Sequence, residues 1–450
     1  MKRLHFIGIA GSGMSALAQL ARWAGGAVSG SDRLFDRGEA AELKNCLEGE
    51  GIKILPQDGS GIIQSGEAVT SAAVEADIPD LRAAADQGVP VLGRGEYLLR
   101  LARGRESLAV AGTNGKSTTT ALLAWILDGS SLDPSCAMGA SLVRGWRGWG
   151  NARRGKSDLF CFEADESDGF LERYRPEFGV ITNISPDHFA LERLRGIFAR
   201  FALGCRRAVA VNNDCPECRR LPQGKSRRIT FAVDSPADLR PREIELRRDS
   251  LSCRLESVEF SLPLPGIHNL YNLLAATALA RSVGLSLGRI AAAASEFPGI
   301  RRRLEVVHDS PGLTVIDDYG HNPAKIAAAL TAARGFGSPL TAIYQPHGYG
   351  PLKRFRRELA AAFAAGLRAG DRLFLLPVYY AGGTVEDGYG SKEFAAETAG
   401  PVPAEYLPGR LALLDRLGPA RGVFLVMGAR DPGLGFLARR IASLLGANGE

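Results

Sequence analysis

The amino-acid sequence predicts an α/β protein of three domains built on parallel sheets. Its 450 residues exceed one ordinary hydrophobic core, since domains usually contain about 100 to 200 residues. Apolar strands followed by a polar or glycine-rich turn and an amphipathic helix begin near residues 4, 107 and 313. This order is typical of parallel sheets with crossover helices, whose ligands bind at the carboxyl ends of strands. Each turn is therefore a candidate site.

The three strand–turn–helix units are similar in length and mark the starts of the domains. They comprise the predicted strands 4–9, 107–111 and 313–316 and the predicted helices 14–23, 117–127 and 323–334. The last domain is expected to begin near residues 297–299.

Composition and charge restrict the class of function. Lys and Arg number 55 against 49 Asp and Glu, a formal charge of +6, and the excess lies in short clusters such as 301–303. A mild basic bias fits a phosphorylated small molecule, and no nucleic-acid recognition motif is present in the sequence. We therefore expect small-molecule substrates and no nucleic-acid partner.

The cysteines and the apolar segments predict a cytoplasmic protein without a membrane span. Seven cysteines, an odd number, fit a reducing compartment in which thiols stay free. The first residues lead directly into a strand without the apolar stretch of a signal peptide. No segment reaches the roughly 20 apolar residues of a membrane helix.

A loop of sequence GTNGKSTTT, residues 112–120, is the strongest local signal. Its glycines allow backbone N–H groups to surround phosphate oxygens at the positive end of a helix. Lys116 would offset phosphate charge, and Ser117 could bind Mg²⁺ through its hydroxyl. Val110 stands where the usual phosphate-loop pattern has its first glycine.

Two polar segments follow neighbouring predicted strands and offer metal ligands. The acidic segment EADESD, 163–168, follows the strand-like residues 158–162, and SPDH, 185–188, follows 180–184. Carboxylates beside a phosphate loop are the hard oxygen ligands that Mg²⁺ requires. A single histidine is more often structural, but the position of His188 at a strand end favours a functional role.

Three weaker motifs allow more than one interpretation. Asn269 and Asn272 are three residues apart and share a helix face, where they would contact a nucleotide or only cap the helix. The turn 8–13, with Asp32 after the next strand, resembles a dinucleotide-binding turn, although its glycine spacing departs from that pattern. Cys215 and Cys218 lack a second matching pair, which favours free thiols in a structural loop over a zinc site.

In this order, the motifs resemble the Mur ligase family of peptidoglycan synthesis from residue 1 to about residue 440. Residues 8–14, 29–32 and 69–73 are most similar to the branch that adds L-alanine to UDP-N-acetylmuramate. The loop 112–120 matches the family's G-T-x-G-K-[ST]-T-T, which relaxes the first glycine, and 163–168 matches the E-A-D-E-S-D of that branch. The resemblance implies a Rossmann-like nucleotide-sugar (UDP) domain at 1–104, a central P-loop-type ATP-binding ligase domain at 105–298, and a C-terminal Rossmann-like amino-acid-binding domain at 299–450.

The resemblance also implies roles for individual residues. The expected catalytic residues are Lys116, Glu163, His188 and His321, with His321 as the base or positioning group for the amine. Ser117, Glu163 and His188 would hold Mg²⁺. The expected ATP contacts are Gly112, Thr113, Asn114, Gly115, Lys116, Ser117, Thr118, His268, Asn269, Asn272, Arg303 and Asp318. The expected nucleotide-sugar contacts are Gly11, Ser12, Gly13, Met14, Ser31, Asp32 and Ser71.

The implied activity is ATP-dependent amide formation between UDP-N-acetylmuramate and L-alanine through an acyl phosphate, by a monomer or weak homodimer. Departures from the family pattern at 348–351 and 428–432 leave the added amine open. A murein-peptide recycling ligase that adds a tripeptide, or a relative using another amino acid, is the first alternative. An NAD-dependent oxidoreductase would leave the loop 112–120 unexplained, and a non-catalytic nucleotide-binding regulator would leave Lys116 and Glu163 without a function.

Overall fold

The computed structural model describes residues 3–63, 65–186, 189–380, 388–398, 400–418 and 421–446. Three mainly parallel sheets of five, seven and six strands, each accompanied by helices, confirm the predicted α/β fold class. The first two sheets belong to one compact unit, which covers the chain as far as Gly299 except for residues 247–249 and 264–266. Those two segments and the chain from Ile300 onwards form a second compact unit.

The N-terminal sheet is parallel, with strand order β3-β2-β1-β4-β5. Its strands are β1 Arg3–Ile7, β2 Ala27–Ser31, β3 Lys53–Leu55, β4 Glu67–Thr70 and β5 Val91–Gly93. Its helices are α1 Ser12–Trp23, α2 Arg33–Asp36, α3 Ala41–Gly49, α4 Pro79–Asp86 and α5 Arg94–Ala102. Strand β1 ends two residues before the prediction, because Gly8 adopts φ +75° and turns the chain.

The central sheet has the order β12-β11-β10-β6-β9-β7-β8 and is parallel except for its edge strand β8. Its strands are β6 Glu106–Ala111, β7 Ser135–Ala137, β8 Ala152–Arg153, β9 Leu159–Glu163, β10 Phe178–Ile181, β11 Ala208–Asn212 and β12 Arg227–Phe231. An antiparallel sheet is formed by β13 Arg242–Leu246, β14 Leu251–Leu255 and β15 Val258–Leu262. The helices are α6 Lys116–Gly129, α7 Leu191–Gly204, α8 Pro216–Arg219, α9 Ile267–Ser282 and α10 Leu287–Ser295, with a 3-10 turn at Leu171–Arg173.

The sheet of the second unit has the order β16-β17-β21-β18-β19-β20, with only β16 antiparallel to its neighbour. Its strands are β16 Glu305–Ser310, β17 Leu313–Asp318, β18 Leu340–Gln345, β19 Arg372–Leu375, β20 Ala404–Tyr406 and β21 Gly422–Gly428. Its helices are α11 Pro323–Arg334, α12 Tyr349–Gly366, α13 Ser391–Glu397, α14 Arg410–Arg416 and α15 Leu434–Gly446.

Local sequence signals explain where several elements begin and end. Helix α11 has the predicted bounds, since the Asn322 side chain accepts from the Lys325 N–H at 3.0 Å and Pro323 occupies the first turn. Strand β17 is two residues longer than predicted, because Asp317 and Asp318 pair with β21. Among the described residues, every helix is too short or too polar to cross a bilayer.

Candidate active site

The turn after β1 is held by the residues that end β2. The N–H groups of Gly8 and Ile9 both donate to the Ser31 carbonyl, at 2.9 and 3.1 Å. The Asp32 carboxylate accepts from the Ala10 N–H at 2.9 Å and caps α2 through the Leu34 N–H at 3.0 Å. Burial raises the pKa of Asp32. Asp32 therefore fixes the conformation of the glycine-rich turn.

The residues expected to contact a nucleotide sugar differ in exposure. The exposed and half-buried members are Gly11, Ser12, Gly13 and Ser71. The Met14 side chain lies in the hydrophobic core, and the buried Ser31 hydroxyl donates to the Asp80 carboxylate. The backbone N–H groups at the start of α1, rather than the Met14 and Ser31 side chains, are thus suited to a diphosphate.

The phosphate loop between β6 and α6 is bound to the chain that follows β10. The Asn114 carbonyl accepts from the Thr182 hydroxyl at 2.6 Å and from the Asn183 amide at 3.0 Å. The Asn114 N–H donates to the Asn183 side-chain oxygen at 3.0 Å. The Thr113 hydroxyl exchanges hydrogen bonds with the Ser185 backbone, both at 3.0 Å. These contacts fix the loop in one conformation.

Both glycines of the loop are required by close neighbours. Gly112 and Gly115 have φ angles of +135° and +83°, in the region that favours glycine. A Cβ on Gly112 would lie 2.0 Å from the Thr182 hydroxyl oxygen, and one on Gly115 would lie 2.4 Å from the Asn272 amide oxygen. The loop can therefore approach these neighbours only if positions 112 and 115 are glycine.

Helix α9 brings the predicted amide pair against the phosphate loop. Asn272 donates to the Asn269 side-chain oxygen at 3.0 Å, which confirms that the two share a helix face. Asn272 also accepts from the Thr119 hydroxyl of α6 at 3.2 Å. Burial lowers the pKa of the half-buried His268, so this side chain is neutral at neutral pH.

Ser117 and Glu163 form a pair of hard oxygen donors at the start of α6. The Ser117 hydroxyl donates to a Glu163 carboxylate oxygen at 2.8 Å, and the Gly139 N–H donates to the same oxygen at 2.9 Å. This donor set fits Mg²⁺, which is commonly held by one or two protein oxygens together with phosphates and water. His188, the third expected ligand, lies outside the described residues, and the residues that are described contain no cluster of three His, Cys, Asp or Glu suited to a metal.

Lys116 is held between the loop and the acidic segment after β9. Its ammonium donates to the Gly112 carbonyl at 2.7 Å and to Glu166 at 2.8 Å, and lies 3.8 Å from Asp165. Burial alone would lower the pKa of Lys116, but these carboxylates and Glu163 together raise it. Burial raises the pKa of Glu166 to about 7. Lys116 is thus a fixed positive charge beside the loop.

Arg94 is a site residue that the sequence interpretation missed. Its guanidinium donates to Asp168 at 2.7 Å and lies 3.6 Å from Asp165. A Cβ on Gly13 would lie 2.9 Å from the same guanidinium. Arg94 therefore connects the N-terminal glycine turn with the acidic segment that surrounds Lys116. Its position directly after β5, at the carboxyl edge of a parallel sheet, is the signal that would have identified it.

In the second unit, Asp318 shapes the turn after β17. Its two carboxylate oxygens accept from the Leu304 N–H at 2.8 Å and the Gly320 N–H at 2.7 Å. Burial raises the pKa of Asp318, although nearby Arg303 opposes this. The Arg303 guanidinium lies 4.7 Å from the centre of the Tyr319 ring. These contacts give Asp318 a structural function in the turn that carries His321.

His321 is held as a neutral imidazole. Its Nδ1 lies 2.8 Å from the Tyr319 carbonyl oxygen, which can only accept, so Nδ1 carries the proton and Nε2 has a free electron pair. Burial and the nearby Lys325 and His347 lower the pKa of His321 well below its usual value. The rings of His321 and His347 are 5.0 Å apart, edge to face. This arrangement is suited to accepting a proton or hydrogen bond at Nε2.

Three family models match the chain in succession. They are described as the Mur ligase family catalytic domain at 3–106, the Mur ligase middle domain at 110–280 and the Mur ligase glutamate ligase domain at 302–445.

The relatives that the chain resembles match most of its length. It is 33% identical over 460 aligned positions to a UDP-N-acetylmuramate–L-alanine ligase of Acidithiobacillus ferrooxidans, with 95% of each chain covered. It is 36% identical to the enzyme of that name in a Nostoc species, covering 84% of this chain and 83% of the relative. The chain therefore belongs to the Mur ligase family, and the prediction of an ATP-dependent carboxylate–amine ligase is confirmed.

Solved structures resemble the fold over the whole chain. A UDP-N-acetylmuramate–alanine ligase of Thermotoga maritima has a TM-score of 0.83 at 26% identity, with 100% of both chains covered. A murein peptide ligase of Psychrobacter arcticus has a TM-score of 0.73 at 21% identity, with 99% of each covered, and shows a shared fold alone.

Proposed function

We propose that this protein joins UDP-N-acetylmuramate to L-alanine in peptidoglycan precursor synthesis, with release of ADP and phosphate. The observation that carries the ATP chemistry is the 2.8 Å contact between Ser117 and Glu163 beside the fixed Lys116 ammonium. The choice of substrates is supported by relatives bearing the name of this ligase across 84% to 95% of the chain. The motif EADESD at 163–168 supports the same branch.

The first chemical step activates the carboxylate. An ionised carboxylate is a poor acyl donor, because its charge repels a nucleophile and oxide is a poor leaving group. Transfer of the γ-phosphate of ATP to the carboxylate removes both obstacles and gives an acyl phosphate. Lys116 and the backbone N–H groups of residues 115–118, at the start of α6, are suited to stabilising the negative charge of this transfer, since they are already oriented before it begins.

Ser117 and Glu163, with His188 as the third expected ligand, would hold Mg²⁺. Bound there, Mg²⁺ would neutralise charge on the nucleotide phosphates. Asn114, Asn269 and Asn272 would position the nucleotide through their amides. The remaining expected ATP contacts are Gly112, Thr113, Gly115, Thr118, His268, Arg303 and Asp318; for Asp318 the turn-forming contacts described above favour an indirect role.

The second step is attack of the neutral amine on the acyl phosphate. We propose that His321 Nε2 holds or deprotonates the amine, because its fixed tautomer presents an electron pair.

The N-terminal turn, through Gly11, Ser12, Gly13 and Ser71, would hold the nucleotide sugar. We accordingly assign nucleotide-sugar binding to residues 1–104, ATP chemistry to 105–298 and amino-acid binding to 299–450. The proposal implies a cytoplasmic enzyme, and the monomeric or weakly dimeric state stays a prediction.

The test is phosphate release from Mg-ATP and UDP-N-acetylmuramate, with each amino acid supplied in turn and the tripeptide as a separate sample. We expect stimulation by L-alanine. With ¹⁸O in the substrate carboxylate, one labelled oxygen should appear in the released phosphate, because the acyl phosphate passes that atom to phosphorus. Lys116→Met is the matched inactive control.

The other outcomes are distinguishable. Stimulation by the tripeptide or another amino acid alone would keep the ligase chemistry but move the protein to another branch of the family. Amine-dependent phosphate release without ¹⁸O transfer would contradict the acyl phosphate. Nicotinamide-dependent oxidation without phosphate release would support the oxidoreductase alternative.

A further inference from the structure

The CPEC motif lies against the segment that holds the phosphate loop. Cys215 is half-buried and is the N-cap of the short helix α8, whereas Cys218 is fully buried one turn later. Side chains three residues apart share a helix face. The Cys215 and Cys218 side chains therefore lie on the same face of this turn. The two side chains are thus neighbours, and of the two only Cys215 is partly exposed.

We propose that Cys215 and Cys218 are a redox modification site, which closes to a disulfide by exchange with a small-molecule disulfide of the glutathione class. Intracellular disulfides are usually transient and regulatory, so this assignment is compatible with a reducing compartment. The disulfide does not depend on the proposed function, although its predicted effect on turnover does.

The surroundings of Cys215 favour the thiolate, which is the reactive form. The adjacent Cys218 thiol and the backbone N–H groups of Ile184, Cys218 and Glu217 lower the pKa of Cys215 to about 6, although burial opposes them. The interaction with the Cys215 side chain and burial raise the pKa of Cys218. Cys215 is therefore the attacking sulfur and Cys218 the resolving one.

The disulfide would form by two successive thiol–disulfide exchange reactions. The Cys215 thiolate attacks one sulfur of the small-molecule disulfide, forms a mixed disulfide and releases one thiolate. Cys218 then loses its proton to that thiolate and attacks the Cys215 sulfur, releasing the second small-molecule thiolate, which takes a proton from solvent. Two protein thiols are oxidised while one external disulfide is reduced to two thiols.

The position of Cys215 couples the pair to the phosphate loop. Its sulfur accepts from the Ile184 N–H at 3.4 Å and, as a thiol, donates to the Ile184 carbonyl at 3.8 Å. Ile184 lies between Asn183 and Ser185, which bind the backbone of Asn114 and the hydroxyl of Thr113. In the disulfide, the Cys215 sulfur has no negative charge and is a weaker acceptor, so Ile184 loses a restraint. We expect the oxidised protein to turn over ATP several-fold more slowly.

A second pair of cysteines provides an internal control. Cys136 and Cys161 lie opposite each other on the adjacent strands β7 and β9. Both are fully buried, and burial raises the pKa of each thiol. These two residues are also neighbours, but neither of them is partly exposed as Cys215 is. We expect Cys136 and Cys161 to stay reduced under conditions that oxidise Cys215.

The experiment incubates the full-length protein with glutathione and glutathione disulfide at a series of ratios, followed by alkylation of free thiols and mass spectrometry. Trypsin cleavage after Arg207 and Arg219 places Cys215 and Cys218, without other cysteines, in the peptide 208–219. Oxidation should leave this peptide unalkylated and lighter by two hydrogen atoms. Phosphate release should fall in parallel and recover with dithiothreitol. Cys215→Ser keeps an acceptor for Ile184 and should abolish the response of activity to glutathione disulfide.

The alternative outcomes overturn separate parts of the proposal. If both thiols remain alkylated even in glutathione disulfide alone, the site does not exist. In Cys218→Ala a glutathione adduct at Cys215 is expected to persist. If the adduct also persists in the wild type, Cys218 does not act as the resolving thiol. Disulfide formation with unchanged phosphate release contradicts the coupling to the loop. A protein inactive under all conditions but oxidised at this peptide would contradict the proposed function and leave the redox site supported.

Discussion

Arg94, the first residue of helix α5, donates to the Asp168 carboxylate of the acidic segment after β9 at 2.7 Å. The two side chains are only 19% and 7% exposed, so both charges are largely removed from water. Asp165, the second acidic partner of Arg94, also lies 3.8 Å from Lys116. One arginine thus connects the turn expected to hold the nucleotide sugar with the charge expected to contact ATP.

We predict that Arg94→Met destabilises the protein by about 3 kcal/mol, since removal of one partner leaves a buried charge uncompensated. The fall in kcat should exceed that for Asp168→Asn, because only Arg94 also contacts the region of Gly13. Urea unfolding and phosphate release measure the two effects. Arg200→Met, which breaks an exposed pair with Glu172, is the control and should cost less than about 1 kcal/mol. Equal effects of Arg94→Met and Arg200→Met would disprove the prediction.

Gly115→Ala should specifically weaken ATP use. Gly115 and Gly104 have φ angles of +83° and +74°, so alanine meets a similar backbone cost of about 1 kcal/mol at either position. Only at Gly115 would the new Cβ lie 2.4 Å from Asn272, whereas at Gly104 no atom lies within 4 Å. We expect kcat/KM for ATP to fall on the order of tenfold in Gly115→Ala but not in Gly104→Ala. A similar loss in both variants would attribute the effect to the backbone alone.

Glu163→Gln should impair Mg²⁺ use without unfolding the protein. The amide retains an oxygen for the Ser117 hydroxyl and the Gly139 N–H but removes the negative charge. We expect kcat to fall on the order of 100-fold and the Mg²⁺ concentration for half-maximal activity to rise. Phosphate release across a magnesium titration is the measurement, with Glu172→Gln as the exposed control. An unchanged magnesium dependence would remove Glu163 from the proposed ligands.

His321 should make the protein less stable in mild acid. Because its pKa is lowered in the fold, His321 contributes nothing above the ordinary value of 6.5, where both states are neutral. As pH falls below that value, the unfolded chain takes up a proton that the folded protein does not, so stability is lost. His321→Asn keeps a donor for the Tyr319 carbonyl and should reduce this loss by about 1 kcal/mol at about pH 5.5. Parallel pH profiles of unfolding free energy for wild type and variant would contradict the assignment.

Interactions within one strand–turn–helix unit could be predicted from the sequence. Gly115, Lys116 and Ser117 are adjacent in the chain, so the geometry of one turn specifies their arrangement. The same holds for the shared face of Asn269 and Asn272, and for the cap that begins α11 at Asn322. Such relationships depend on helical period and backbone conformation, which short stretches of sequence specify.

Interactions between units could not be predicted in this way. The phosphate loop is hydrogen-bonded to Asn183, and Arg94 is hydrogen-bonded to Asp168, which lies 74 residues later in the sequence. Asp32 and Asp318 are predicted to contact ligands, and the sequence did not indicate that their oxygens also accept from backbone N–H groups of turns. A carboxylate at a strand end suits either purpose, and only the packed neighbours decide which N–H groups reach it.

The class of the fold, the position of the phosphate loop and the family could be predicted from the sequence alone, because each depends on local order along the chain. The tertiary structure decided which charges meet, namely Lys116 with Glu166 and Arg94 with Asp168, and which cysteine is accessible. The physical reason is that burial and electrostatic interaction depend on distance in space, and the pairing of strands from separate segments sets those distances.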